Sequence, residues 1–262
     1  TTRAGAGPLM IACTHGHVEC TRLLLGAGAV VSTASNHGRT PLSAAIKHGH
    51  IECARLLVGA GAAVGTASNN GITPLLTAVK YGHIECARLL LSAGAAVDTA
   101  EDSHTALFAA CNNGLTECAR LLLERGAAVD QATINSGTTP LFAASRYGHV
   151  ECVRLLLGAG AAAETGRTGG TSTPLDAAIK HDHFECARLL LEAGAIVDTA
   201  KANGRTSLFT AVRWCYIDCV KLLSSYGACR EVQRGPSVSM TAEAVSRHFH
   251  GDTLTEWLVL SR

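Results

Sequence analysis

Apolar residues recur along the chain at helical spacing, in pairs of short segments that repeat about every 33 residues. The unit is clearest at residues 40–64, where Leu42, Ala45 and Ile46 form one apolar stripe. Gly49 ends that stripe, and a second apolar segment follows. Neither segment is much longer than ten residues, so neither predicts a helix that is stable alone. The packing of each repeat against its neighbours must therefore stabilise the fold.

Residues at the ends of these segments predict where each helix begins and ends. Thr40 can cap the first helix with its hydroxyl, and Pro41 suits the first helical position because no N–H is needed there. Glu52 stands at the positive end of the second helix, three residues before Arg55. Gly61 then predicts a left-handed residue just after the second helix.

The same landmarks return through most of the chain. The leucine that opens each first helix recurs in steps of 33, 33, 32, 34, 34 and 33 residues, at Leu9, Leu42, Leu75, Leu107, Leu141, Leu175 and Leu208. Capping threonines stand at Thr40, Thr73, Thr105, Thr139, Thr173 and Thr206. Between each closing glycine and the next threonine lies a polar stretch such as Asn36-His37-Gly38, which is typical of a projecting turn.

This unit resembles the ankyrin repeat, a β-turn followed by two helices with a T-P-L-H-x-A signature. The resemblance covers seven copies over residues 5–230 and implies an all-α solenoid of helix-turn-helix units with short β-hairpin fingers. It also implies a curved molecule with a concave groove and a convex helical back. The histidine that follows T-P-L in the family is absent from all seven copies, so we expect apolar packing to supply most of the coupling between repeats.

The chain is expected to divide into seven repeats over residues 1–230 and a degenerate capping repeat over residues 231–262. The pattern decays after residue 227, although residues 238–249 and 253–261 still predict two helices. Terminal repeats must differ from internal ones because one of their faces meets solvent.

Composition narrows the class of protein. A hydrophobic content of 47% over 262 residues predicts a folded chain, and a formal net charge of +1 gives no overall basic field for nucleic acid or membrane binding. No apolar run approaches the roughly 18–20 residues that cross a bilayer. The first residues lack the features of a signal peptide. The sequence starts within a repeat, so we expect a longer parent chain.

Seven of the eleven cysteines occupy one position of the repeat, at Cys20, Cys53, Cys86, Cys118, Cys152, Cys186 and Cys219. Equivalent helices of adjacent repeats lie about 8–10 Å apart. A disulfide needs Cα atoms within about 7 Å, so this series should not cross-link. The cysteines are interpreted as small apolar core residues. A reducing compartment, cytoplasm or nucleus, is the predicted location.

Two recurring motifs are interpreted as structural. His-x-x-Cys, as in His50 and Cys53, has the spacing of a catalytic pair or half a zinc site, but five copies of one dyad along a repeat are explained more simply by packing. Glu-x-x-Arg, as in Glu52 and Arg55, predicts a solvated charge ladder worth about 0.2–0.5 kcal/mol per pair. We expect no catalytic residues, no metal and no cofactor, and therefore no enzymatic activity.

The best candidate site is the end of the first helix, where one position favours Lys or Arg and the next favours His or an aromatic residue. In the resemblance, this helix end and the fingers line the groove that binds partners. The ten residues, here called the strip, are Lys47, His48, Lys80, Tyr81, Arg146, Tyr147, Lys180, His181, Arg213 and Trp214. Basic and aromatic residues side by side suit an acidic or amphipathic segment. The alternative is that these cations only interact favourably with the negative C-terminal end of each helix dipole. Recognition and this alternative are given equal weight.

Turn positions in the fingers add further candidates. They are His37, Arg39, Asn70, Ile72, His104, Ile134, Arg167 and Arg205. Ile72 and Ile134 are notable because an aliphatic residue on an exposed turn suggests a contact, although single exposed apolar residues are common.

The sequence therefore predicts a non-enzymatic module, a scaffold or adaptor that binds a partner protein through its groove. Tyr81, Tyr147 and Trp214 would anchor the partner, and the basic column would steer it. The alternative is a constitutive subunit of a larger complex, with contacts at its edges and C-terminal cap, over residues 205–262. Nucleic acid binding and membrane insertion are not expected.

Overall fold

The computed structural model describes residues 6–99, 104–165, 172–199, 205–229, 231–233 and 239–241. Fourteen α-helices lie within these ranges, in pairs. The first helices of the pairs are α1 (Pro8–Thr14), α3 (Pro41–Lys47), α5 (Pro74–Lys80), α7 (Ala106–Asn112), α9 (Pro140–Tyr147), α11 (Pro174–Lys180) and α13 (Ser207–Trp214). The second helices are α2 (Val18–Gly26), α4 (Ile51–Gly59), α6 (Ile84–Ser92), α8 (Thr116–Glu124), α10 (Val150–Gly158), α12 (Phe184–Glu192) and α14 (Ile217–Ser225).

The capping threonines begin the first helices as predicted. The Thr40 hydroxyl accepts a hydrogen bond from the Ser43 N–H at 3.2 Å, and Thr73 does the same for Leu76 at 3.2 Å. Ser43 returns the bond by accepting from the Thr40 N–H at 3.0 Å, which completes a capping box. These bonds satisfy amide groups that a helix start otherwise leaves unpaired.

Two left-handed residues shape each repeat. Both are glycines in the first five repeats, whereas Asp182 and Cys215 take the interhelix position in the sixth and seventh. Gly49 has a φ of +70° between the two helices, and the His50 N–H then bonds the Ala45 carbonyl at 2.9 Å. After α4, Gly61 has a φ of +84°, and the Ala62 N–H bonds a carbonyl back in the last turn. The predicted left-handed residue at Gly61 is confirmed, and it closes a Schellman motif.

The described chain divides into two compact units. Unit 1 comprises residues 1–110 and 115–128, and unit 2 comprises residues 111–114 and 129–262. In unit 1, α1, α3 and α5 pack in series, and so do α2, α4, α6 and α8. In unit 2, α9, α11 and α13 form one series, and α10, α12 and α14 the other. Fully buried leucines of the first and second helices, such as Leu42 and Leu57 in unit 1, fill the space between the series.

Polar bonds also join successive repeats, in addition to the apolar packing expected from the sequence. The Asp98 carboxylate accepts from the Ala128 N–H at 3.1 Å, and Asp130 accepts from the Ala162 N–H at 3.1–3.2 Å. Each acceptor lies about one repeat before its donor. Apolar packing is therefore supplemented by a regular set of side chain to backbone bonds.

The fingers are closed turns. The Ser35 N–H bonds the Arg39 carbonyl at 2.8 Å, and the Ser68 N–H bonds the Ile72 carbonyl at 3.1 Å. Each bond joins the two arms of a finger, as in a short hairpin. The described finger residues contain no continuous strand, so the fold is all-α through these repeats.

The described strands lie after the seventh helix pair. β1 (Glu231–Gln233) pairs antiparallel with β2 (Ser239–Thr241). The predicted helix over residues 238–249 is therefore wrong at residues 239–241. Its remainder and the helix predicted over 253–261 lie outside the described residues, and the division into seven repeats and a cap stays a prediction.

Candidate functional site

The strip lies where the sequence placed it, at the C-terminal ends of the first helices. Eight of its ten side chains are exposed, and Lys47 and Arg213 are half-buried. The tyrosines and the tryptophan hold large fractions of their surface in solvent: Tyr81 is 50% exposed, Tyr147 49% and Trp214 57%. Four strip residues belong to unit 1, and the other six, from Arg146 to Trp214, belong to unit 2.

In four of the repeats the strip ring stacks on the histidine two residues later, at the N-cap position of the second helix. The centroid distances are 6.1 Å for His48–His50, 6.3 Å for Tyr81–His83, 6.2 Å for Tyr147–His149 and 6.1 Å for His181–His183. His15 and His17 of the first repeat stack in the same way at 5.9 Å. The rings are thereby held at a fixed angle to the helix end, which reduces the entropy that binding must cost.

The same interhelix histidines reach the preceding repeat. The His83 Nε2 lies 3.2 Å from the Lys47 carbonyl oxygen, and the His183 Nε2 lies 3.1 Å from the Arg146 carbonyl oxygen. A carbonyl can only accept, so Nε2 carries the hydrogen. The sequence placed these histidines in the turn but did not show that they bond the backbone of strip residues. Their recurrence at one position was the available signal.

Interhelix glycines make room for these rings. A Cβ atom added to Gly49 would lie 2.8 Å from the His83 ring, and one added to Gly148 would lie 2.6 Å from the His183 ring. Where Leu115 replaces the histidine, the same contact at Gly82 relaxes to 3.6 Å. Glycine at this position is thus required twice, by its positive φ and by the histidine of the next repeat.

Arginine lies over an aromatic ring at two strip positions of unit 2. The Arg146 guanidinium carbon is 5.5 Å from the centre of the Tyr147 ring, and that of Arg213 is 5.7 Å from the Trp214 ring. These are cation–π distances. Each pair presents a flat, partly apolar surface that also carries a positive charge.

In unit 1 the predicted residues meet in one open groove of about 440 Å³. Lys47 and His48 of the second repeat line it together with Lys80 and Tyr81 of the third. Four predicted finger residues line it as well: His37, Arg39, Asn70 and Ile72. The small polar residues that complete the wall, among them Ser35, Ser43 and Thr77, carried no signal in the sequence.

The two histidines of the strip have lowered pKa values. Partial burial is the larger cause for His48, and the charge of Lys47 adds to it. Partial burial likewise lowers the pKa of His181, helped by Lys180 and Arg146. Both shifts favour the neutral form of the ring.

The His-x-x-Cys motif separates into two structural roles. Cys53 is buried, and its sulfur accepts a hydrogen bond from the Thr21 hydroxyl at 3.6 Å, whereas His50 bonds the Thr14 carbonyl at 3.1 Å. Burial raises the pKa of Cys186 to about 11. A thiol of that kind is a poor nucleophile. Cys20 differs from its six equivalents because it is exposed.

The Glu-x-x-Arg pairs form exposed ion pairs on the second helices. Arg55 and Glu52 lie 3.5 Å apart, with more than half of each side chain in solvent. Arg188 is the exception, because it bonds both Glu185 and Glu192. Exposed pairs of this kind contribute little to stability, as the sequence indicated.

The remaining finger candidates are scattered. Ile134 is 77% exposed, and the His104 ring lies 5.0 Å from that of Phe108. Arg205 lies over the Phe209 ring at 5.2 Å, and Arg167 falls outside the described residues.

The described residues also bear on metal binding and on insertion into a membrane. Among the described residues, no three His, Cys, Asp or Glu side chains are grouped so as to hold a metal ion. None of the described helices has the length and apolar character needed to span a bilayer.

Comparison with known proteins was informative for family and fold. A family model described as ankyrin repeats (3 copies) matches residues 1–68, 56–133, 94–167 and 161–234. The ankyrin repeat domain of human ASB11 is 27% identical, with a TM-score of 0.74 over 89% of this chain and 100% of that one. The ankyrin repeat domain of Bcl-3, described as a unique member of the IkappaB protein family, is 29% identical, with a TM-score of 0.71 over 85% and 100%. Comparison with curated proteins gave no match.

Proposed function

The chain belongs to the ankyrin repeat family, and we propose from this premise that it binds a partner protein through the strip and the adjacent fingers, as a scaffold or adaptor. Ankyrin repeat domains generally mediate protein–protein interaction and are typically non-enzymatic. The observation that carries the proposal is the groove of unit 1, which brings Lys47, His48, Lys80 and Tyr81 together from two repeats.

The proposed mechanism uses rigid anchors and steering charges. Tyr81 and Tyr147 stack on the histidines behind them, and Trp214 lies beneath a guanidinium, so little side-chain freedom is lost when a partner packs on these rings. Aromatic residues and arginine contribute most of the affinity in typical interfaces. The basic column favours a partner segment that carries acidic residues, and its charge accelerates the encounter.

A second candidate is a constitutive subunit that contacts its complex at repeat seven and the C-terminal cap. Trp214 and Ile217 support it, since both are large apolar residues and are 57% and 44% exposed in this repeat. Trp257, which belongs to the same hypothesis, lies outside the described residues.

Lysine-specific cross-linking with mass spectrometry on the native complex separates the two candidates. Binding at the strip predicts partner cross-links at Lys47, Lys80 and Lys180. Binding at repeat seven predicts them at Lys221, an exposed lysine of α14 that serves as the internal control. Cross-links confined to Lys221 would overturn the groove proposal.

The double substitution Tyr81→Ala with Tyr147→Ala should weaken capture of the cross-linked partner by tenfold or more, at about 1–2 kcal/mol per anchor. The melting temperature should change little, because both rings are half in solvent. Tyr226→Ala is the matched control, an exposed tyrosine at the end of α14 outside the strip. Unchanged capture by the double variant contradicts the assignment of these anchors.

The proposed location is a reducing intracellular compartment, the cytoplasm or the nucleus. All eleven cysteines are free thiols, which supports it. The net charge of +1 supports a protein partner rather than nucleic acid. No cofactor takes part in the proposed function.

A further inference from the structure

The groove of unit 1 is one-sided in charge. Its lining includes His37, Arg39, Lys47, His48 and Lys80, and none of the described lining residues is Asp or Glu. The acidic residues of the second helices, such as Glu52, are instead engaged with arginines of their own helices. The groove is therefore positive although the chain as a whole is almost neutral.

His48 is surrounded by groups that oppose its protonation. Lys47 precedes it on α3, and His15 of the first repeat, His50 of its own turn and His83 of the third repeat act on it in the same direction. From α5, Lys80 and Tyr81 line the same groove, as do His37 and Arg39 of the fingers. No carboxylate is among these neighbours in the described part of the chain, so none of them offers the imidazole a counter-charge.

We propose that the groove of unit 1 captures an extended, carboxylate-rich segment of the partner, and that His48 takes up a proton as this segment docks. The inference rests on the proposed function and specifies its partner chemistry. A carboxylate within about 4–6 Å favours the imidazolium form. By reciprocity, the proton that the segment recruits also strengthens binding of the segment.

His48 is better placed than the stacked histidine behind it to take up this proton. The His50 Nε2 already donates to the Thr14 carbonyl, and its ring packs against Gly16 so closely that a Cβ added there would lie 2.6 Å from Nδ1. The His50 ring is thus engaged within the fold and is not among the residues that line the groove. His48 is exposed at the end of α3 and faces the groove.

The strip of each unit presents one histidine, His48 in unit 1 and His181 in unit 2. His48 lines the positive groove described above. The proton-linked response is therefore assigned to unit 1.

The test is fluorescence anisotropy with a rhodamine-labelled peptide of alternating Asp and Ser, at about pH 7.5 and about pH 6.0 and constant ionic strength. The carboxylates of the peptide stay ionised across this range, so the change reports the protein. The dissociation constant should fall about threefold at the lower pH, because the docked carboxylates raise the pKa of His48 and the protonated ring binds them more tightly. A peptide of alternating Asn and Ser should bind weakly at both pH values.

His48→Gln should abolish most of the pH-dependent gain. His17→Gln, which replaces an exposed stacked histidine outside the groove, should retain it. Calorimetry in two buffers of different ionisation enthalpy measures the number of protons taken up on binding. This number should be larger for the wild-type chain than for His48→Gln.

Three results would overturn the inference: no gain at low pH, a gain that survives in His48→Gln, or equal binding of the Asn peptide. None of them decides the proposed function, which fails separately if partner cross-links avoid the strip. Circular dichroism of His48→Gln checks that the variant is folded, so that a missing pH-dependent gain in affinity is not caused by unfolding.

Discussion

Buried polar side chains of the first helices are satisfied to very different degrees. Asp176, at the position of the family's histidine, is 1% exposed, but its carboxylate accepts from the Thr173 N–H at 3.3 Å and the Ser207 hydroxyl at 2.6 Å. It thereby caps α11 and ties it to the next repeat. Ser145 takes a position that holds Ile46 in the second repeat, and its buried hydroxyl has no hydrogen-bond partner. A buried group of this kind costs about 1–3 kcal/mol.

Ser145→Ala should therefore raise the free energy of unfolding by about 1 kcal/mol, since it removes an unpaired hydroxyl at the cost of little packing. Urea denaturation followed by circular dichroism measures the change. Ser43→Ala is the contrasting control. The Ser43 hydroxyl completes the capping box of α3, so its loss should lower stability by about 0.5–1 kcal/mol. A loss of stability in Ser145→Ala would mean that the hydroxyl is paired.

At the scale of elements, the turn between the two helices links one repeat to the next. Its glycine adopts a left-handed conformation and leaves space for the histidine of the following repeat, which bonds the end of the first helix. The sixth and seventh repeats depart from this arrangement, since Asp182 and Cys215 adopt φ values of +57° and +58° at the glycine position. A non-glycine residue pays about 1–2 kcal/mol there. The strip thus stands on a backbone whose geometry is fixed by the neighbouring repeat.

Gly49→Ala and Gly61→Ala separate strain from the contact between repeats. Both glycines have positive φ values, +70° and +84°, so both substitutions should cost about 1 kcal/mol in strain. Only Gly49 faces the His83 ring, whereas a Cβ at Gly61 meets nothing within 4 Å. Gly49→Ala should therefore cost about 1 kcal/mol more, because His83 loses its bond to Lys47. Equal losses in chemical denaturation would contradict the proposed role of the histidine.

At the scale of the molecule, positive and negative side chains occupy different positions of the repeat, while the net charge stays close to zero. Lysines and arginines end the first helices, whereas Glu19, Glu52 and Glu85 begin second helices beside arginines. Aspartates such as Asp98 bond backbone amides of the next repeat. Unit 1 therefore has a positive groove although the net charge of the chain is only +1.

Stability should fall as pH decreases from about 7.5 to about 5.5. Folding lowers the pKa of His48 and His181, so the unfolded chain binds more protons as the pH falls through the ordinary histidine value near 6.5. The stabilisation is complete above that value and is lost below it. Urea midpoints across this range measure the effect. The double variant His48→Gln with His181→Gln should show a smaller decrease, and an unchanged decrease would show that other groups cause it.

Much of the fold could be read from the sequence because its signals are local. Thr40, Pro41 and Gly61 act within a few residues of their own positions, and each adopts the predicted role. The prediction failed at Ser239–Thr241, which form a strand in which apolar Met240 lies between two polar residues. A segment this short fits a strand or a helix equally well in sequence.

The candidate site was predicted only as a set of positions. The basic residue followed by a histidine or aromatic residue located the strip, because this pattern can be read from the repeated sequence alone. It did not show that Lys47 and Lys80 line one groove with Arg39, because these residues come from different repeats. Nor did it show the stacking of Tyr81 on His83, although both residues belong to one short turn.

The sequence by itself determined the repeat, the helix ends and the residues of the strip, because caps, turns and helical periodicity act over a few residues. Tertiary structure alone decided which side chains of neighbouring repeats meet. It placed the interhelix histidines on the backbone of the preceding repeat and left the groove of unit 1 without a described carboxylate. These contacts span 30 residues or more of chain, and only the packing of one repeat on the next fixes such distances.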